Sequence, residues 1–148
     1  MFTRLRGAIG IAVLMLACAR MPDDGRALLQ GTWVATSAER DGAAAEDVLG
    51  NRLTFSVDRF EIESKDGVRL YAGTFRVDTE RSPAAIDFTH TEGTLNGRTW
   101  LGIYAVDGDR LTICDNAPNL DASRPTAFET QTGSEYVMIT FRRASFRS

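Results

Sequence analysis

Beyond residue 30, apolar side chains recur at every second position, and this alternation limits the possible folds more than any other feature of the chain. It is clear in Leu53/Phe55/Val57, Phe60/Ile62, Ile86/Phe88, Leu111/Ile113 and Val137/Ile139/Phe141. A strand sends successive side chains to opposite faces, so this pattern lines one buried face and leaves the polar neighbours to water. Eight runs follow, at 31–38, 51–57, 59–65, 68–77, 84–92, 98–106, 110–115 and 135–143. Asp66-Gly67, Asn96-Gly97 and Asp107-Gly108 each fall between two runs, and such pairs are the strongest local hairpin signal. Residues 26–30 predict one helical turn that Gly31 stops, and 43–49 is the one candidate for a further helix. No longer amphipathic stretch separates the runs, which excludes a parallel α/β sheet.

Eight strands of about nine residues leave roughly six for each connection, an ordinary loop length. The predicted fold is therefore all-β: a single eight-stranded antiparallel up-and-down barrel over 29–148, because closure removes exposed strand edges. A two-sheet sandwich shares the same periodicity and stays open as the alternative.

The first residues read as an address. Arg4 and Arg6 precede an uncharged apolar run, 7–16, and small residues follow at Ala17-Cys18-Ala19. That is the layout of a secretory signal segment, and the run is too short to span a membrane. Two cleavage chemistries fit. Met15-Leu16-Ala17-Cys18 resembles a bacterial lipobox, which makes 1–17 the signal, Cys18 the lipidated first residue and 18–28 a polar tether. Ala17-Cys18-Ala19 also fits an ordinary A-x-A site with the chain starting at Arg20. The lipoprotein reading is favoured, and it puts the protein in the cell envelope, held at a membrane by acyl chains. Either cut leaves Cys114 as the one unmodified cysteine, expected to be buried.

A formal charge of −3 carries no electrostatic footprint for nucleic acid. One histidine and two cysteines are too few for a structural zinc cluster, and no motif calls for a cofactor.

Gly31-Thr32-Trp33 opens the first strand. It resembles the Gly-x-Trp signature of lipocalins, which implies that Trp33 plugs one barrel end with Arg142 or Arg143 packed across it. A closer resemblance runs through Leu29-Gln30-Gly31-Thr32-Trp33, Ser82-Pro83-Ala84-Ala85-Ile86-Asp87, Gly102-Ile103-Tyr104, the stretch 107–114 and Arg124-Pro125-Thr126-Ala127-Phe128. In that order these motifs are similar to a small lipocalin-like domain family abundant in planctomycete bacteria. The resemblance implies the barrel and assigns no activity.

The candidate ligand contacts are Tyr71, His90, Tyr104 and Arg124. His90 shares the phase of Ile86 and Phe88, so it is expected to point inward. There it serves as a haem ligand, as a general base, or as a satisfied or rim histidine. Arg124, in the long loop 116–134, offers a partner for a ligand carboxylate or phosphate, or staples the loop to the barrel. No nucleophile, base and orienting group come together by inspection, so no enzyme is predicted. Two functions remain: a binding barrel for a small apolar or amphipathic ligand, and a filled-core protein-interaction or inhibitor-like lipoprotein working through loops 39–50 and 116–134. A pocket of roughly 300–1,000 Å³ favours the first.

Overall fold

The period-two segments pair in chain order. A computed structural model describes residues 25–145, so the expected signal segment 1–17 and the expected lipidation site Cys18 lie outside the described residues. The strands are β1 (Gly31–Arg40), β2 (Ala43–Ala44), β3 (Arg52–Ser56), β4 (Arg59–Glu63), β5 (Arg69–Asp78), β6 (Ala85–His90), β7 (Thr99–Asp107), β8 (Arg110–Asp115) and β9 (Val137–Arg143). The two-residue β2 only folds back on the end of β1, pairing Ala44 with Glu39 and Ala43 with Arg40. The other eight form an antiparallel up-and-down barrel, which β9 closes against β1 from Trp33↔Arg143 to Arg40↔Val137. Closure pairs the first and last long strands, leaving only the two-residue β2 as an edge among the described residues, and it removes the sandwich alternative.

Two local expectations are corrected. The candidate helix at 43–49 is replaced by β2 and a single 3-10 turn, Glu46–Val48. Asp41 and Gly42 take positive φ and turn the chain back on itself, and Gly50 does so again at the far end. The stretch between them is too short to nucleate an α-helix. Val57, in phase with Leu53 and Phe55, is not inside but 71% exposed. It forms the β3–β4 turn with Asp58 at φ 60°, a left-handed conformation that is costly for a β-branched residue. The Gln30 side chain clamps this turn, accepting from the Val57 N–H at 2.7 Å and donating to its carbonyl at 2.9 Å.

The 3-10 turn Ala27–Leu29 lies at the β3–β4 end of the barrel, near Trp33. The long connections 41–51, 91–98 and 116–136 gather at the other end. Between the ends, the barrel below the mouth is packed by its own aromatics. Phe55 meets Phe75 edge-on at 4.7 Å between centroids, and Phe60 meets Phe88 at 5.0 Å. Each buried ring contributes about 1.5–3 kcal/mol of transfer free energy, with edge-to-face packing adding to it.

A bulge in β1 between Ala35 and Ser37 changes which side chains point inward. Before it the buried positions are Trp33 and Ala35, and after it Ala38. The extra residue shifts the phase by one and turns Arg40 to the mouth. Outside the barrel, the segment 116–136 straps β6, β7 and β8. Asn116 is fully buried; its Oδ1 accepts from the Leu101 N–H at 2.9 Å and its Nδ2 donates to Ala122 at 2.9 Å. The strap explains why Ala85, Ile103 and Cys114 are buried although they alternate with inward residues.

Candidate functional site

The two barrel ends differ in chemistry. At the closed end Trp33 is fully buried and its Nε1 donates to the Leu29 carbonyl at 2.8 Å. The Arg143 guanidinium lies 4.1 Å over the Trp33 ring, and its Nη1 and Nη2 donate to the carbonyls of Gln30 (2.9 Å) and Leu28 (3.0 Å). One arginine therefore holds the ring and satisfies the carbonyls of the entering turn. Arg142 is exposed, because its phase along β9 is opposite to that of Phe141 and Arg143.

The mouth encloses a cavity of about 610 Å³, within the range of small-molecule sites. Leu53, Ile62, Ile139 and Phe141 make its apolar wall, with the rings of Tyr71 and Trp100 on another side. Those two rings meet edge-on at 4.9 Å. Arg40 and Arg52 also line it. Arg40 is already engaged: it forms a two-pronged pair with Asp47 at 3.2 and 3.1 Å, and this hydrogen bond holds the Asp47 carboxyl below its ordinary value.

Asp115 is the buried carboxyl of the cavity, only 5% exposed. Its Oδ1 accepts from the Ala117 N–H at 2.9 Å, and among the described residues it has no ion pair. Burial pushes its carboxyl up to about 7, against the smaller opposing effect of that backbone hydrogen bond. Opposite it on β7 stands Gly102, where a Cβ would lie 2.9 Å from the Asp115 Cβ. Glycine at that position allows the close approach of the two strands.

His90 points inward, as its phase predicts, but into an aromatic box. It is 1% exposed and packs on Trp100 at 4.2 Å, Phe60 at 5.4 Å and Tyr71 at 5.5 Å. Burial lowers its pKa below the ordinary histidine value, so the imidazole is neutral at pH 7. Neither of its nitrogens, nor Trp100 Nε1, has a hydrogen-bond partner among the described residues. Among the described residues no group of three or more His, Cys, Asp or Glu side chains comes together to hold a metal ion.

The remaining candidates are spread over the molecule. Tyr71 lies in the cavity wall. Tyr104 is buried toward the other end, where a Cβ added to Gly25 would come within 2.9 Å of its Oη. Arg124 is on the outer surface, in the strap. Its Nη1 donates to the carbonyls of Gly102 (2.8 Å) and Ile86 (3.3 Å), and its Nη2 lies 2.7 Å from Asp87 Oδ1, close but off-angle for a hydrogen bond. These bonds make Arg124 the staple of the strap, beside a separate outer hollow of about 310 Å³. Cys114 is buried under the same strap, its Sγ 3.8 Å from the Glu129 carbonyl. Burial pushes the thiol up to about 11, which leaves little nucleophilic thiolate.

Asp115 and Arg40 are the site residues that the candidate set lacks. Asp115 continues the Leu111, Ile113 alternation, so counting by two marks it as inward. Arg40 has no such signal, because the bulge puts it out of phase with Trp33. Compared with known proteins, the chain matches no protein-family model, no curated protein and no solved structure.

Proposed function

We propose that this chain is an exported, lipocalin-like binding module that holds a small amphipathic molecule in the barrel mouth. The carrying observation is the cavity of about 610 Å³, apolar along Leu53, Ile62, Ile139 and Phe141 and joined by a buried carboxyl. A barrel working only through its outer loops has no need of a half-empty mouth above a fully packed lower core. The likeness to lipocalins, and to the small planctomycete family, is supported by Gly31-Thr32-Trp33 with Arg143 over the ring. Export and a lipid anchor at Cys18 are supported by the charged, apolar and small-residue zones of the first 19 residues.

The test is fluorescence titration with N-phenyl-1-naphthylamine, a neutral probe that brightens in apolar surroundings. The wild-type protein binds it saturably, and Ile139→Trp, which fills the cavity, loses the binding while keeping a cooperative thermal transition. A wild-type protein that fails to bind the probe overturns the binding reading in favour of a protein-interaction module. The mass of the denatured protein from its own cells tests the anchor. A chain beginning at an acylated Cys18 supports it, and one beginning at Arg20 refutes it.

A further inference from the structure

The polar end of the ligand is legible in the cavity wall, provided that the mouth is a binding site as proposed above. Asp115 lines the cavity, is more than nine-tenths buried, and has one oxygen committed to the Ala117 N–H. No hydrogen-bond donor or cation among the described residues serves the other oxygen. Gly102 lets β7 and β8 approach closely here, since a Cβ on it would lie 2.9 Å from both the Asp115 Cβ and the Cys114 carbonyl. A buried, half-served carboxyl is costly unless something else pairs with it.

The same wall carries Tyr71 and Trp100, whose ring faces attract cations. Trp100 is 7% exposed, and its Nε1, itself fully buried, has no hydrogen-bond partner among the described residues. Arg40 and Arg52 lie along the cavity, but Arg40 is neutralised by Asp47. An anionic ligand therefore has Arg52 to address, and it meets like charge if it reaches Asp115. A ligand with an ammonium group gains a charge-assisted hydrogen bond to Asp115, and its apolar body fits the aliphatic side of the wall.

We propose that the mouth cavity selects amphipathic amines, placing the ammonium on Asp115 and the apolar body along Tyr71, Trp100, Leu53 and Ile139. The test displaces bound N-phenyl-1-naphthylamine from the whole protein with n-octylamine, 1-octanol and octanoate, compounds of matched length and different heads. Octylamine is expected to displace the probe at about tenfold lower concentration than octanol, with octanoate weakest. Asp115→Asn brings octylamine to the level of octanol. Equal displacement by octanol or octanoate in the wild type overturns the amine assignment and leaves the binding barrel standing. A preference for octylamine that survives in Asp115→Asn overturns the role of Asp115. If the probe itself does not bind, the binding reading falls, and the amine inference with it. The wild-type comparison of the three heads needs no variant, so it stands even if Asp115→Asn folds poorly.

Discussion

Replacing Asp115 by Asn is expected to stabilise the barrel, and increasingly so as the pH rises. Burial lifts the Asp115 carboxyl from its ordinary 3.8 to about 7. Between those values the folded protein keeps a proton that the unfolded chain has released. Stability therefore falls as pH climbs through this window and levels off above about pH 7. A shift of about three units corresponds to roughly 4 kcal/mol, of which roughly 3 kcal/mol falls between about pH 5 and pH 8. Asn keeps the shape and the acceptor for the Ala117 N–H but cannot ionise, so it escapes this loss. His90 acts with the opposite sign. Its lowered pKa means the unfolded chain takes up a proton in acid that the folded protein refuses, so stability is lost below its ordinary 6.5. His90 is present in both proteins and cancels in the difference. Urea unfolding followed by tryptophan fluorescence reads the effect. The gap between the two midpoints should widen by on the order of 1–2 M urea from about pH 5 to about pH 8. A gap that stays constant with pH, or closes toward pH 8, refutes the reasoning.

Three further perturbations follow from the same geometry. Arg143→Ala removes the cation over Trp33 and two carbonyl partners, and should cost about 2–4 kcal/mol in urea unfolding, whereas Arg142→Ala should stay within about 0.5 kcal/mol. Arg124→Ala unpins the strap from the Gly102 and Ile86 carbonyls, so Ellman's reagent should label Cys114 faster than in the wild type; an unchanged rate means the strap holds without it. Val57→Asn relieves a β-branched residue at φ 60° in an exposed turn and should raise stability by about 1 kcal/mol in the same unfolding assay, and a loss of stability would contradict the strain argument.

The strands, the hairpin glycines and the inward phase of His90 are legible because period two is a property of neighbours along the chain. Phase alone also separates Arg143 from Arg142, since Arg143 follows Val137, Ile139 and Phe141, and it marks Asp115 through Leu111 and Ile113. What is hidden depends on contacts between distant segments. The β1 bulge sits among Ala35, Thr36 and Ser37, small residues that leave no mark in the pattern, so the turn of Arg40 into the mouth is not visible. Arg124 reads as a free cation until the strap is seen to fold onto the Gly102 and Ile86 carbonyls, nearby in space but 22 and 38 residues away in the chain. Trp100-Leu101-Gly102-Ile103, apolar on both faces, does carry a trace of that strap: a strand whose outer face is also covered needs apolar residues on both sides. Val57 shows the reverse failure, since Leu53, Phe55 and Val57 alternate cleanly although the strand ends at Ser56 and the turn takes Val57 outside.

Native mass spectrometry of the protein purified from its own source cells, set beside its denatured spectrum, tests the central claim most directly. Occupancy of the mouth predicts an added mass that survives gentle ionisation, disappears on denaturation and belongs to a small amphipathic amine. A native mass equal to the denatured one, from a preparation never exposed to detergent, would contradict the claim that this barrel carries a ligand.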